Sequence, residues 1–251
     1  MAAVALITGA SAGLGVEFAR QLSRKGHRLV LAARRKDRLE ALVAELGNAR
    51  ALGIDLSRAG STAELMRDLE AAGEQVETLV NNAGFGLRGS LIKLDPGRQR
   101  EMIDLNCGAL TELCRAFAPA MVERRSGAIL NVASTAAFQP GPHMAVYFAT
   151  KAYVLSFTEA LHEELKPHGV KVSALCPGPT RTEFGDVAGI KTLGSFDRLA
   201  MDAEPVVRAG LEGLEANDAV VIPGTTNKIG AWSTRLAPRS VVRKIAGSLK
   251  F

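Results

Sequence analysis

Apolar residues along this chain alternate between short continuous runs and stretches with helical spacing. The first run, Ala3 to Thr8, ends in a glycine-rich turn, after which Val16, Phe18, Ala19 and Leu22 recur every one to three positions. This change of period predicts a strand followed by an amphipathic helix. The alternation continues to about residue 175. It predicts strands at 28–33, 51–54, 78–81, 128–133 and 171–175, and helices at 37–46, 61–72, 97–123 and 145–165.

Strands that alternate with long helices indicate parallel pairing, with helices covering both faces of the sheet. Asp202 is a plausible N-cap for a further helix to about Ala216, and Ala219–Ile222 is a candidate last strand. We therefore predict an α/β fold with three layers, a doubly wound parallel sheet of about seven strands. At 251 residues the chain suits one large domain, so we expect a single domain over residues 1–251. This domain includes an irregular segment at about 183–203, which we expect to be the substrate loop, and a basic tail at about 225–251.

Cysteine usage and hydropathy indicate a cytoplasmic protein. The sequence has no run of about 18 apolar residues, and its start lacks the basic segment of a signal peptide. Cys107, Cys114 and Cys176 are an odd set without CxxC spacing, which favours free thiols in a reducing compartment. The four histidines form no metal-ligand pattern, so we expect no metal.

The net charge of +5 is concentrated in the tail. Six basic residues and no acidic residue lie between Lys228 and Phe251, which leaves 25 basic and 26 acidic residues in residues 1–227. A dispersed nucleic-acid-binding face is therefore not expected. Apolar residues interleaved with these cations allow a membrane contact or a lid over a cleft. We favour the alternative, a helix that packs on its own domain or across a dimer.

The glycine-rich turn is a candidate phosphate site. Glycines let the backbone approach a pyrophosphate, and the following helix N-terminus supplies unpaired N–H groups. The Gly-x-x-x-Gly-x-Gly spacing differs from the common Gly-x-Gly-x-x-Gly fingerprint, so a purely structural turn is the alternative. The position between the first strand and the first helix favours a dinucleotide site. Its predicted residues are Gly9, Ser11, Ala12, Gly13, Leu14 and Gly15.

Two arginines follow the second strand, where an acidic residue would bind the 2′-hydroxyl of NAD. Arg34 and Arg35 could instead pair with a 2′-phosphate. We therefore predict NADP(H) rather than NAD(H) as the cofactor. The alternative is that these residues cap the next helix and face water.

Tyr147 and Lys151 are four residues apart on a predicted helix, which puts both side chains on one face. A nearby ammonium stabilises phenolate over phenol, so we expect Lys151 to lower the pKa of Tyr147. By itself the pair could also be a packed aromatic beside a solvated lysine.

Several motifs in a fixed order resemble the short-chain dehydrogenase/reductase family over about residues 3–182. They are Thr8-Gly9-x-x-x-Gly13-x-Gly15, Asp55-Leu56, Asn81-Asn82-Ala83-Gly84, Asn106, Ser134, Tyr147-x-x-x-Lys151 and Pro177-Gly178. The resemblance implies a Rossmann fold and an NADP(H)-dependent oxidoreductase that acts on carbonyl or secondary alcohol groups, such as a carbonyl reductase. A non-catalytic dinucleotide-sensing or scaffold protein on the same fold is the alternative.

The resemblance also implies a role for each matching catalytic position. Tyr147 would donate a proton to a carbonyl or accept one from an alcohol, and Lys151 would lower its pKa and hold the nicotinamide ribose. Ser134 would orient the substrate oxygen. Asn106 would kink its helix and hold a water in a proton relay.

Further positions would bind the cofactor. The family implies that Asp55, followed by Leu56, contacts the adenine, and that the segment of Asn82, Ala83 and Gly84 lines the cofactor. Pro177 and Gly178, with Thr180 and Thr182, would hold the carboxamide.

Apolar residues near the predicted site indicate an apolar substrate, such as a ketone, a 3-oxoacyl compound or a hydroxysteroid. They are Phe184, Ile190, Leu193, Phe196 and Met201, together with Phe138, Pro140 and Met144. His143 is close to Tyr147 in the sequence and could contact the substrate, but we favour a partly exposed loop histidine. The long tail argues against the usual tetramer contact, so we favour a homodimer built on the helices that begin near Gly97 and Ala145, with a homotetramer as the other option.

Overall fold

The computed structural model describes residues 3–189 and 200–248. Its centre is a seven-stranded parallel sheet with strand order β3-β2-β1-β4-β5-β6-β7. The strands are β1 Val4–Thr8, β2 Arg28–Ala33, β3 Ala49–Gly53, β4 Val76–Asn81, β5 Gly127–Val132, β6 Val170–Leu175 and β7 Val220–Val221. The predicted α/β doubly wound fold class is confirmed.

Helices connect these strands and cover both faces of the sheet. They are α1 Gly13–Arg24, α2 Lys36–Leu46, α3 Ser61–Ala71, α4 Pro96–Ile103, α5 Leu110–Glu123, α6 Ala145–Leu165, α7 Phe184–Ala188, α8 Ala203–Ala216, α9 Thr225–Leu236 and α10 Arg239–Ser248. A short 3₁₀ turn, Thr135–Phe138, follows β5.

Each strand contributes alternate side chains to two separate cores. Val4 and Leu6 of β1 pack with helices α3, α5 and α6, whereas Ala5 and Ile7 pack with α1, α2 and α8. The alternation follows from the two-residue period of a strand. Both faces of the sheet are therefore apolar, which explains why the strands appear in the sequence as continuous apolar runs.

The structure interrupts the helix that was predicted over 97–123. A π-helical turn, Asp104–Ala109, separates α4 from α5. Asp202 does precede α8, as predicted, but its carboxylate accepts a hydrogen bond from Arg181 at 2.9 Å and makes no capping bond. Helix α7 was not predicted, because its residues lie in the segment that was expected to be irregular. The tail, expected to form a packed helix, contains two helices, α9 and α10.

The tail packs on the protein through only part of its apolar surface. Ala231 of α9 and Val242 and Ala246 of α10 are buried, which agrees with the favoured packing interpretation. Trp232 and Leu236 of α9, in contrast, are 65% and 89% exposed. Leu249 lies outside the described residues. None of the described helices is long and apolar enough to cross a membrane.

Candidate active site

A cleft of about 730 Å³ opens at the carboxyl edge of the sheet. Residues just beyond the strand ends line it, including Gly9 after β1, Asn82 after β4 and Ala133 after β5. The chain leaves β1 towards β2 on one side and returns as β4 on the other, so this edge is the topological switch point. Ligands of open α/β sheets bind at this point, and the volume suits a cofactor or small-molecule pocket.

Almost all of the predicted site residues line the cleft. Every predicted cofactor-binding residue except Gly15 lines it, and so do Ser134, Tyr147 and Lys151. These residues come from seven separate segments between Gly9 and Thr182. Asn106 does not line the cleft and lies behind it.

The glycine turn has the backbone geometry that a phosphate cradle requires. Gly9 and Gly13 have φ angles of 67° and 55°, in the left-handed region that favours glycine. A Cβ at Gly9 would lie 2.8 Å from the Cα of Ala83. Ala12 is the N-cap of α1, which begins at Gly13. The unpaired N–H groups of its first turn therefore lie at this end of the helix. The turn therefore fits the pyrophosphate of a dinucleotide.

Two polar side chains hold this turn against β4. The hydroxyl of Thr8 accepts hydrogen bonds from the amides of Asn82 and Ala83, at 3.1 and 3.0 Å. The side-chain amide of Asn82 donates to the carbonyls of Thr8 and Gly9, at 3.0 and 3.2 Å. Asn82 thus lines the cleft, but its amide fixes the turn.

Asp55 lies at the same end of the cleft as Arg34 and is ionised. Its Oδ1 accepts from the backbone and the hydroxyl of Ser57, at 3.0 and 2.7 Å. Partial burial opposes ionisation, but these bonds and the nearby cation of Arg34 outweigh it, so the pKa of Asp55 is lowered.

Arg34 and Arg35 also line this end of the cleft, and each contacts a carboxylate. Arg34 donates to Glu101 at 3.0 Å, and Arg35 donates to Glu183 at 3.1 Å. Arg35 is at the N-cap position of α2 but makes no side-chain capping bond. The capping interpretation is therefore not supported for Arg35, and the two guanidinium groups fit an anionic ligand.

Tyr147 and Lys151 are both buried in the wall of the cleft, at 8% and 6% exposure. The Nζ of Lys151 donates to the carbonyl of Val132 at 2.8 Å and lies 5.9 Å from the centre of the Tyr147 ring. Ser134, in the turn after β5, lies close enough to Tyr147 to act on its pKa, and its hydroxyl accepts from the amide of Ala136 at 3.1 Å. The three side chains thus converge on one position.

Burial decides the ionisation of this pair. It raises the pKa of Tyr147 to about 12, although the nearby Ser134 acts in the opposite direction. Burial also lowers the pKa of Lys151 to about 8. The expected lowering of the Tyr147 pKa is not found in this structure, because the loss of hydration around the phenolate outweighs the opposite contribution of Ser134.

Asn106 sits in the π-helical turn and connects three elements. Its amide donates to the carbonyl of Phe85 at 3.0 Å and to the hydroxyl of Thr150 at 3.1 Å. Its Oδ1 accepts from the amide of Phe85 at 3.1 Å. The side chain is 1% exposed. It therefore fixes the segment after β4 against the helix that carries Tyr147 and Lys151.

The wall around Tyr147 is mostly apolar. Phe85, Met144 and Phe148 form a buried cluster with Tyr147, and the ring of Phe184 is 5.3 Å from the tyrosine ring. Phe85, Phe148, Thr135 and Gln139 line the cleft and were not predicted, because no motif marks them.

Some predicted pocket residues lie elsewhere. Phe138, Pro140 and Met201 do not line the cleft, and the exposed His143 lines a separate, smaller cavity. Ile190, Leu193 and Phe196 lie outside the described residues. In residues 3–189 and 200–248, no group of His, Cys, Asp and Glu could hold a metal ion.

The fold and the cleft together define a dinucleotide-binding α/β protein with a tyrosine and a lysine at the reactive end. The family model described as "short chain dehydrogenase" matches residues 3–190. The chain therefore belongs to the short-chain dehydrogenase family of oxidoreductases.

Individual relatives support this assignment. The NADP-dependent 3-hydroxy acid dehydrogenase of Salmonella typhi is 38% identical over 192 residues, which cover 73% of this chain and 75% of the relative. A solved short-chain dehydrogenase from Sphingobium yanoikuyae in complex with NADPH has a TM-score of 0.83 and 35% identity, over 99% of this chain and 96% of that one. The bulky-bulky ketone specific alcohol dehydrogenase from Comamonas testosteroni has a TM-score of 0.79 and 30% identity, over 99% and 95%.

Proposed function

We propose that the protein transfers hydride between NADP(H) and the carbonyl or secondary alcohol group of an apolar substrate. The observation that carries this proposal is the convergence of Ser134, Tyr147 and Lys151 in one cleft with the glycine turn. A non-catalytic scaffold would have no need of this buried set, whose groups are costly to bury.

In this mechanism the cofactor, when bound, supplies or accepts the hydride. Tyr147, protonated at neutral pH, donates its proton to the substrate oxygen as negative charge develops there. The hydroxyl of Ser134 holds the same oxygen. Lys151 would hold the ribose of the cofactor and supplies positive charge beside Tyr147. Asn106 fixes the helix that carries both residues.

NADP(H) is favoured by the two guanidinium groups at the adenosine end of the cleft. Arg34 and Arg35 both face it, and the relatives described above include an NADP-dependent enzyme and an NADPH complex. The ionised Asp55 and the adjacent Leu56 would flank the adenine. The turns that contain Gly84, Pro177, Gly178, Thr180 and Thr182 would hold the nicotinamide half.

The apolar wall favours a bulky, apolar carbonyl compound. Phe85, Met144, Phe148 and Phe184 surround the reactive end of the cleft. Ketones with two large substituents, 3-oxoacyl thioesters and ketosteroids fit this wall better than short hydroxy acids.

We also propose that the protein is cytoplasmic and forms a homodimer. The three cysteines are free, and free thiols are typical of a reducing compartment.

The test is an assay in both directions, with NADPH oxidation by apolar ketones, 3-oxoacyl thioesters and ketosteroids, and NADP⁺ reduction by short hydroxy acids. We expect activity on apolar ketones with NADPH at least tenfold above that with NADH. Tyr147→Phe should lower kcat by about 10²–10⁴-fold, because it removes the proton donor and leaves the ring in place. Tyr153→Phe, which alters an exposed tyrosine on the same helix, is the matched control. Activity that survives in Tyr147→Phe would refute the mechanism.

A further inference from the structure

Glu183 connects the two ends of the cleft. Its carboxylate accepts hydrogen bonds from Arg38 at 2.7 and 2.9 Å and from Arg35 at 3.1 Å. Both arginines follow β2, on the adenosine side. Glu183 lies on the other side, directly before α7. The two cations lower the pKa of Glu183, so the carboxylate is charged.

All three guanidinium nitrogens of Arg35 already donate a hydrogen bond in this arrangement. Its Nε donates to the hydroxyl of Ser11 at 3.2 Å, its Nη1 to Glu183 at 3.1 Å and its Nη2 to the carbonyl of Ser11 at 3.5 Å. Two of its five N–H groups remain, one on each terminal nitrogen. Guanidinium groups bind phosphate and carboxylate through the same planar set of donors. Glu183 therefore occupies part of the donor set that a 2′-phosphate would use.

The residue next to Glu183 forms part of the substrate wall. Phe184 begins α7, and its ring lies 5.3 Å from the ring of Tyr147. A Cβ at Gly86 would lie 2.9 Å from the same phenyl ring. A movement of Glu183 away from the arginines would therefore also move Phe184 and change the wall of the cleft beside Tyr147.

We propose that Glu183 competes with the 2′-phosphate of the cofactor for Arg35 and Arg38, so that a phosphorylated cofactor releases α7 from the adenosine side. This inference rests on the proposed use of NADP(H). It makes Arg38 a third residue for the phosphate, which the sequence pattern had not indicated. A cofactor without the 2′-phosphate leaves the ion pairs in place and does not release α7.

The first test measures binding alone, by isothermal titration of the full chain with 2′,5′-ADP and with 5′-AMP. Glu183→Gln should tighten 2′,5′-ADP about threefold to tenfold, since ion pairs of this exposure contribute modestly, and should change 5′-AMP affinity less than twofold. Asp186→Asn removes the same charge three residues further along the chain, inside α7, and is the matched control. It should change 2′,5′-ADP affinity less than twofold.

The second test is amide hydrogen exchange of residues 183–189. In the wild type, 2′,5′-ADP should speed exchange in this segment, and 5′-AMP should not. Slower exchange with 2′,5′-ADP, or weaker binding of it to Glu183→Gln, would mean that Glu183 closes over the ligand and would overturn the inference. So would unchanged binding in the variant.

The two proposals fail in different ways. Equal affinity of the wild type for 2′,5′-ADP and 5′-AMP would refute the NADP(H) assignment and this inference with it. A clear preference for 2′,5′-ADP that Glu183→Gln leaves unaltered would refute only the role of Glu183.

Discussion

At the scale of single residues, burial controls the charges of the reactive pair. Tyr147 has a raised pKa of about 12 and Lys151 a lowered pKa of about 8. At neutral pH the phenol therefore keeps its proton, as carbonyl reduction requires, while Lys151 is still mostly charged. Since both groups are buried, the folded protein is destabilised by the charge it keeps on Lys151.

This cost predicts a pH-dependent effect of Lys151→Met. The folded-state pKa of Lys151 is about 8, below its ordinary value of 10.5. Between these values the unfolded chain binds the proton and the folded one does not, so wild-type stability rises with pH relative to the variant. The free energy of unfolding of the variant minus that of the wild type should therefore be roughly 3 kcal/mol larger below pH 8 than above pH 10.5.

Urea unfolding from pH 7 to pH 11 measures this difference in the free energy of unfolding. Lys166→Met, at an exposed lysine just after the same helix, is the control and should show a flat difference. A flat difference for Lys151→Met as well would show that the ammonium is hydrated in the folded protein.

Motifs identified most residues of the cleft, and the reason is chemical. Glycines, arginines and the Tyr147–Lys151 pair are residue types whose spacing has a functional meaning. Phe148 and Gln139 carry no such mark, because any apolar or polar residue near Tyr147 is equally compatible with the sequence pattern. The direction of the Tyr147 pKa shift was missed because it depends on burial, which local spacing does not contain.

At the scale of elements, the π-helical turn at Asp104–Ala109 shows where periodicity fails. The apolar spacing through 97–123 fits one continuous helix. The side chain of Asn106 instead bonds the backbone of Phe85 and the hydroxyl of Thr150, and these partners are far away in the sequence. These tertiary contacts accompany a π-helical turn in place of regular α-helix. The local spacing of apolar residues contains no information about them.

A buried polar chain joins three elements and supports the positions of Ser134 and Tyr147. The amide of Asn81 in β4 donates to Oδ1 of Asn131 in β5 at 2.9 Å, and the amide of Asn131 donates to Thr158 in α6 at 3.0 Å. Asn131 and Thr158 are both 0% exposed. The chain thus ties β5, which leads to Ser134, to the helix of Tyr147.

We expect Asn131→Ala to lower the free energy of unfolding by about 1–3 kcal/mol, because it leaves buried partners unpaired. Thr158→Val should destabilise by a similar or smaller amount. Since both variants break the same bond, the double variant should lose clearly less than the two single losses together. Urea unfolding of all four proteins gives the coupling, and additive losses would mean that the two side chains act independently.

At the scale of the whole molecule, the alternation of strands and helices was enough to predict the layered fold. Parallel strands buried on both faces give continuous apolar runs, which are easy to recognise. The tail was harder to predict. Ile229, Trp232 and Leu236 have helical spacing in α9, yet all three are exposed, so their pattern does not indicate a core.

We expect the protein to be a dimer through α5 and α6. Tyr153 of α6 is 43% exposed and stacks on Phe157, with ring centres 5.8 Å apart, which provides an aromatic surface on the long helix. Tails that carry six basic and no acidic residues would repel each other in a symmetric contact. Tyr153→Arg should therefore give a monomer by light scattering, whereas Leu236→Arg should remain a dimer. The reverse result would place the interface on the tail.

The parallel order of the sheet also determines when the cleft can form during synthesis. Val4 of β1 pairs with Val76 of β4, so one side of β1 has no partner until β4 has left the ribosome. The cleft then needs residues as late as Ala200 of the 251. A nascent chain shorter than this exposes apolar strand edges and has no complete nucleotide site. Bound nucleotide therefore cannot assist the early steps of folding, and the first strands stay without their β4 partner through that period.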